Sequence, residues 1–167
     1  MPVLNIAMIG SDELAREIAK PTDQRDVHTY VHKESGSDGP RILSLIRPAK
    51  YPERLRPFLN ALSAARVGII EVSGIDATLG EALVAFASAN ITKGIGIINA
   101  PDGGWVDEDQ VIMLFKQAGL GEWSFGSTDG IDLRNSLYQY MDDIADELSA
   151  NAKAPLVIPV DQHFNVK

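Results

Sequence analysis

The stretch Val67–Ile98, VGIIEVSGIDATLGEALVAFASANITKGIGII, holds two short apolar runs on either side of a long segment rich in alanine and leucine. The runs Val67–Val72 and Gly94–Ile98 are rich in isoleucine, valine and glycine, which is typical of strands buried on both faces. The segment Asp76–Asn90 between them is predicted to be helical. A strand, a helix and a second strand in this order predict parallel strands joined by a crossover helix.

The same alternation extends to both sides of this stretch. Upstream, the apolar run Val3–Ile9 is followed at once by Gly10 and by a predicted helix, Ser11–Lys20. Two further runs, Val27–His32 and Arg41–Ile46, flank a polar, glycine-rich turn and predict a hairpin. The remaining predicted elements are the helices Tyr51–Ala65, Asp107–Ala118 and Leu133–Leu148 and the short strand Glu122–Phe125. Together they predict a three-layer α/β domain whose mainly parallel, six-stranded sheet has one antiparallel edge strand.

Composition limits the class of protein. The 167 residues are 45% hydrophobic and 23% charged, which is the balance of one folded domain. Fifteen Lys and Arg against 23 Asp and Glu give a net charge of −8, so DNA is not an expected partner. No apolar run reaches the ~18 residues of a membrane span, so no membrane partner is expected either. Cysteine is absent, which excludes disulfides and thiolate metal sites, and we expect a cytoplasmic location.

In a parallel sheet, ligands bind at the carboxyl ends of the strands, and the first such loop begins with Gly10. A phosphate-binding loop has the form G-x-x-x-x-G-K-[ST] between a strand and a helix. In that frame the closing positions hold Ala15, Arg16 and Glu17, so only Arg16 keeps the required positive charge. The residues therefore indicate either a degenerate phosphate loop or an ordinary helix start capped by Ser11.

Three later loops carry further candidates. Asn99 and Asp102 keep the spacing of an N-K-x-D loop that reads guanine, although the same residue types also form ordinary turns. Ser127 weakly resembles a base-contacting residue in the loop before the last helix. The second loop carries a local basic cluster, which indicates either contact with RNA or an acidic partner, or a solvated face. The members of this basic patch are Arg47, Lys50, Arg54 and Arg56.

Other candidates for chemistry are weaker. His28 and His32 lie four residues apart on a predicted strand, a separation of roughly 13 Å that is too large for a shared metal. We therefore expect no metal site. Trp105 and Trp123 are interpreted as packing residues rather than as platforms for stacking bases.

The order and spacing of these loops resemble those of a translational GTPase G domain, in the group of elongation factor Tu and the selenocysteine-specific elongation factor. The segment Leu4–Gly10 resembles the first strand and the start of the phosphate loop, and Ala65–Asp102 resembles the central run that ends in N-K-x-D. The tail Pro155–Lys167, PLVIPVDQHFNVK, resembles the opening of the β-barrel domain that follows. The resemblance implies a P-loop GTPase-like domain at residues 1–150, with a linker and the truncated first strand of a second β-barrel domain at 151–167.

The resemblance also implies that most of the catalytic equipment is lost. The phosphate-loop lysine corresponds to Arg16 and the Mg²⁺-binding threonine to Glu17. The D-x-x-G-H motif corresponds to Arg47 through Tyr51, which removes the Mg²⁺-binding aspartate and the water-positioning histidine. Phosphoryl transfer depends on these groups, so we expect no catalytic residue and no efficient GTP hydrolysis. Weak binding of GTP or GDP, if retained, would use Gly10, Arg16, Asn99, Asp102 and Ser127.

The two altered Mg²⁺ positions lead to a sharper hypothesis. One has gained a carboxylate, Glu17, and the other a guanidinium, Arg47. We expect these side chains to form a salt bridge that fills the vacated metal site. The domain would then be held in one state without nucleotide.

The favoured function is a pseudo-GTPase scaffold within a translation elongation factor-like protein that contacts aminoacyl-tRNA or the ribosome. One alternative is a translational GTPase that binds GTP or GDP weakly and acts in aminoacyl-tRNA delivery. The other is an RNA- or protein-binding module that uses the basic patch, whose binding would depend on salt.

Overall fold

The computed structural model describes residues 2–150, with side chains described for residues 2–147. The strands are β1 (Val3–Ile9), β2 (Lys20–Gln24), β3 (Val27–Gly36), β4 (Gly39–Pro48), β5 (Val67–Val72), β6 (Lys93–Ile98) and β7 (Ser124–Gly126). The helices are α1 (Asp12–Ile18), α2 (Arg56–Ala64), α3 (Ala77–Ser88), α4 (Glu108–Gln117) and α5 (Gly130–Ala150). The linker and barrel strand predicted at 151–167 lie outside the described residues.

The strands form one sheet in the order β2-β3-β4-β1-β5-β6-β7, and every neighbouring pair from β4 to β7 is parallel. The mainly parallel α/β architecture is therefore confirmed, but the described sheet has seven strands rather than six. The additional strand, Lys20–Gln24, lies at the edge and places the antiparallel strand β3 one position inside it. Its sequence KPTDQ shows no apolar alternation, and Pro21 is tolerated because an edge strand has one unpaired side.

Helices cover both faces of the sheet, as expected of a three-layer domain. On one face, α1 and α5 pack on the sheet through Leu14, Ile18 and Leu137. On the other face, α2, α3 and α4 pack through a second apolar cluster that includes Phe58 and Phe86. The loops singled out from the sequence follow the carboxyl ends of the parallel strands.

Trp123 is a packing residue, as expected, and glycines make the space for it. Its indole is 4% exposed, packs against Phe86 at a centroid distance of 5.1 Å and donates a hydrogen bond to the Ile91 carbonyl at 3.0 Å. Gly68 and Gly94 are paired on β5 and β6 beneath the ring. A Cβ atom on Gly94 would lie 2.5 Å from Cε2 of Trp123, so the indole fits only against a bare backbone.

Two expectations for individual segments are wrong. Trp105 is 83% exposed, because the neighbouring Val106 takes the buried position in this loop. Helix α2 begins at Arg56 rather than at Tyr51, and Pro57 lies in its first turn, where proline is tolerated. Within residues 2–150, no helix combines the length and the apolar character that a membrane span requires.

Candidate functional site at the carboxyl edge of the sheet

The connection from β1 to α1 consists of Gly10 and Ser11 alone. The Ser11 hydroxyl accepts a hydrogen bond from the Leu14 amide at 3.2 Å, so Ser11 is the helix N-cap. Ala15, Arg16 and Glu17 therefore lie inside the helix, and Ala15 is fully buried. The capping interpretation is confirmed, and the connection is too short to wrap around phosphate groups as the G-x-x-x-x-G-K frame requires.

Glu71 of β5 places its carboxylate against this connection. Oε1 accepts a hydrogen bond from the Ser11 amide at 3.1 Å, and Oε2 accepts one from the Ser11 hydroxyl at 3.3 Å and one from Nδ2 of Asn99 at 3.3 Å. Gly10 permits this approach, because a Cβ there would lie 3.0 Å from the Cβ of Glu71. The sequence analysis missed Glu71, although it is the one charged residue in the run VGIIEV.

The guanine-reading candidates occupy different surroundings in the structure. Asn99 joins the Glu71 network, and its backbone N–H donates to the Val72 carbonyl at 2.9 Å. Asp102 is exposed on a tight turn in which the Gly104 amide donates to the Pro101 carbonyl at 2.7 Å. The structure therefore ties Asn99 to the sheet edge and leaves Asp102 on a solvent-exposed turn.

A cleft of about 560 Å³ opens beside Glu71, and its lining includes several of the site residues predicted from the sequence. It is lined by Ser11, Glu13, Leu14, Glu17, Glu71, Asn99, Ser127, Thr128, Asp129 and Gly130. Four of these side chains are carboxylates, and none of the described lining residues is lysine or arginine. Phosphate groups in this cleft would lie close to these carboxylates, and their mutual repulsion opposes nucleotide binding there.

Ser127 has a local structural role in the same cleft. Its hydroxyl accepts a hydrogen bond from the Asp129 amide at 3.2 Å. The Asp129 carboxylate in turn accepts hydrogen bonds from the amides of Ile131 and Asp132 at 2.9 and 3.0 Å, at the start of α5. The geometry is that of a helix start, which satisfies backbone amides that would otherwise lack partners.

Arg47 pairs with Asp12, so the expected salt bridge between Arg47 and Glu17 is wrong. The Arg47 side chain is 11% exposed; its Nη2 lies 4.0 Å from Oδ1 of Asp12, and its Nε donates to the Tyr30 hydroxyl at 3.2 Å. The reason is that Asp12 and Glu17 lie at opposite ends of α1. Asp12 opens the helix beside β3 and β4, whereas the Glu17 carbonyl at the other end accepts from Arg134 at 2.7 Å.

Tyr30 and Arg16 complete the contacts of Asp12. The buried Tyr30 hydroxyl donates to Oδ1 at 2.5 Å, and Nε of Arg16 lies 2.6 Å from Oδ2. The Tyr30 hydrogen bond, followed by that of Arg16, holds the pKa of Asp12 below its ordinary value. Burial, followed by the contact with Asp12, raises the pKa of Tyr30. Arg16, the candidate replacement for the phosphate-binding lysine, is thus directed back along its own helix.

Acid should weaken the contacts of Asp12. Its folded-state pKa lies below the ordinary value of 3.8, so its stabilising contribution is complete above that value and is lost as the pH falls through the folded-state pKa. We expect Asp12→Asn to lower the free energy of unfolding near neutral pH, and the difference from the parent to shrink at about pH 3. Urea unfolding at the two pH values measures this. Tyr30→Phe should reduce the same pH dependence, and an Asp12→Asn effect that is equal at both values would contradict the assignment.

The basic patch is divided by the structure. Arg47 turns inward to Asp12, whereas Lys50, Arg54 and Arg56 are exposed on the connection from β4 and at the start of α2. Arg54 lies 3.5 Å from Asp26, which offsets part of its charge. The patch therefore lacks one of the four cations on which the RNA-binding alternative depends.

No group of three or more histidine, aspartate or glutamate side chains within the described part of the chain is arranged to hold a metal ion.

The sequence matches no protein-family model. It is similar to Uncharacterized protein MJ0325 of Methanocaldococcus jannaschii, with 23% identity over 168 residues that cover 100% of this chain and 50% of that protein. The chain thus spans about half the length of this relative. The structure is similar to the crystal structure of the bacterial selenocysteine-specific elongation factor EF-Sec, with a TM-score of 0.66, 20% identity, and coverage of 86% of this chain and 29% of that one. The expected three-layer, P-loop GTPase-like fold is therefore confirmed at the level of the fold.

Proposed function

We propose that the chain is a G-domain-like scaffold of a translation factor-like protein and that it works without binding or hydrolysing GTP. The observation that carries this proposal is the Glu71 carboxylate, which Ser11 and Asn99 hold against the start of α1. In a nucleotide-binding domain of this layout, backbone amides at the first helix start bind phosphate. Here the amide of Ser11 already binds the protein's own anion.

The lack of a phosphate loop supports the same function. Stabilisation of a transferring phosphoryl group requires cations and amides arranged around it. The connection of Gly10 and Ser11 supplies neither a loop nor a lysine, and Arg16 contacts Asp12 instead. Glu17 and Asp129 add negative charge to the adjoining cleft.

The Arg47 contacts support a domain that keeps one conformation. In the G domains that this chain resembles, the corresponding strand end helps to hold Mg²⁺. Here a guanidinium takes that position and links β4 to α1 through Tyr30 and Asp12. Such contacts need no nucleotide to form, which favours a constant structural role over switching.

The biological setting follows from the fold neighbour and from the tail. The neighbour is named a selenocysteine-specific elongation factor, and the sequence of Pro155–Lys167 resembles the start of the next domain in such factors. In the full-length protein the scaffold would hold later domains that contact aminoacyl-tRNA or the ribosome. This role would place the protein in the cytoplasm.

Calorimetric titration with GTP and GDP, with and without Mg²⁺, tests the proposal. We expect no binding at about 1 mM nucleotide and no hydrolysis above the uncatalysed rate, with an authentic translational GTPase as positive control. Micromolar, Mg²⁺-dependent binding would overturn it and would restore the weakly binding GTPase alternative. In that case Asn99→Ala and Asp102→Ala should abolish binding, because they are the retained guanine-reading candidates.

A further inference from the structure

We propose that Trp105 and the acidic residues after it form a docking surface for a cationic segment of a partner protein, in which arginine or lysine alternates with apolar side chains. This surface lies on the loop that joins β6 to α4. This surface shares no residue with the lining of the cleft beside Glu71. Binding of a partner here therefore does not depend on whether a nucleotide binds in that cleft.

Trp105 is presented on an ordered loop rather than on a loose one. A turn with Gly103 at a φ of 75° and a 2.7 Å hydrogen bond from Gly104 to Pro101 fixes the backbone before it. Val106, which is 9% exposed, anchors the backbone after it. The indole is nevertheless 83% exposed. An exposed tryptophan on a fixed backbone is the residue type most enriched among side chains that dominate protein–protein binding.

A groove of about 450 Å³ lies beside the indole and combines apolar and acidic walls. Its apolar side is formed by Ile98, Ala100 and Val106, and its acidic side by Asp107, Glu108 and Asp109. Asp107 is engaged as the N-cap of α4, with its carboxylate accepting from the Gln110 amide at 3.1 Å. Within residues 2–147, Glu108 and Asp109 form no ion pair, and both face solvent or the groove edge.

Charge identifies the kind of partner. From Gly94 to Phe115 the sequence contains no lysine or arginine, while Asp102, Asp107, Glu108 and Asp109 carry negative charge. This surface repels RNA and phosphate groups and attracts cationic side chains. The exposed face of Trp105 adds a site for cation–π contact with arginine or lysine, and the apolar groove can hold the side chain beside it.

The test measures binding of the full chain to a short fluorescent peptide of alternating arginine and leucine, by anisotropy at low and high salt. We expect binding that weakens with salt. Trp105→Ala should weaken it by about tenfold or more, as for a residue at the centre of an interface. Neutralising the acidic wall with Glu108→Gln and Asp109→Asn should weaken binding and flatten its salt dependence.

Matched controls distinguish binding at this surface from nonspecific binding of the peptide. Val84→Ala removes another exposed apolar side chain, 60% exposed on α3, and should leave binding unchanged. A peptide with glutamate in place of arginine should not bind. Circular dichroism establishes that each variant is folded. The proposal is overturned if the arginine peptide does not bind below about 1 mM, if Trp105→Ala binds as tightly as the parent, or if the glutamate peptide binds equally well.

Discussion

Gly94→Val is expected to lower the free energy of unfolding by about 3 kcal/mol, because a side chain at this position would overlap the buried Trp123. A Cβ there would lie 2.5 Å from Cε2 of the indole and 2.7 Å from the carbonyl oxygen of Gly68, and neither neighbour is a flexible side-chain end. Trp123 is held on its other side by Phe86 and by the hydrogen bond to Ile91. For a chain of this size the melting temperature should fall by about 6–12 °C.

Gly80→Ala is the matched control for this substitution. Gly80 lies within α3, and apart from its chain neighbours and the adjacent helix backbone no atom lies within 4 Å of the position that its Cβ would take. Replacing glycine with alanine inside a helix usually stabilises a protein by about 0.5–1 kcal/mol. Thermal and urea unfolding of both variants should therefore give effects of opposite sign. A Gly94→Val variant as stable as the parent would show that β6 and Trp123 can separate at little cost.

Glu71→Ala is expected to lower the free energy of unfolding by about 2 kcal/mol, because three hydrogen bonds to a half-buried carboxylate are lost together. These bonds connect β5 to the start of α1 through Ser11 and to the end of β6 through Asn99. Glu71→Gln should lower the free energy of unfolding by about 1 kcal/mol, because its amide keeps one acceptor oxygen but presents N–H groups to the other donors. Urea unfolding measures both variants.

Glu81→Ala provides the charge control, because Glu81 is exposed on α3 and its loss should change stability by less than about 0.5 kcal/mol. An equal effect of Glu71→Ala and Glu81→Ala would contradict the bridging role of the Glu71 carboxylate.

The Glu71→Ala variant also tests whether this carboxylate blocks a nucleotide site. We expect Glu71→Ala to gain no affinity for GTP, because the missing phosphate loop is not restored; micromolar binding would show that Glu71 only blocks a competent site.

The fold was largely predictable because its signals are local. The apolar runs of β1, β5 and β6 and the helix between Val67–Val72 and Lys93–Ile98 appear in the structure close to their expected bounds. Strand β2 was not predictable in the same way, because Lys20–Gln24 is polar and is held by pairing with β3, including a contact between the hydroxyls of Thr22 and Thr29 at 2.8 Å. Long-range pairing of this kind leaves no periodic pattern in the sequence.

The candidate site was less predictable because it depends on which side chains meet across elements. Glu17 and Arg47 were expected to pair on the basis of aligned positions, but in the structure Asp12 at the start of α1 contacts Arg47, and Glu17 lies near the other end of the helix. Glu71 was missed because its two partner residues, Ser11 and Asn99, are far from it along the chain. A carboxylate in a buried strand is the signal that could have revealed it, since such a group needs hydrogen-bond donors nearby.

The connection of Gly10 and Ser11 also bears on timing. A nucleotide-dependent switch protein stays in its active conformation only until the bound nucleotide is hydrolysed, and its conformation depends on which nucleotide it holds. With Ser11 and Asn99 bound to Glu71, the carboxyl edge of this sheet has its ligand covalently built in. Under the proposed function, the conformation of the domain does not change through a cycle of nucleotide binding and hydrolysis. The moment at which cargo is released, and the energy that makes the release irreversible, would then come from a partner.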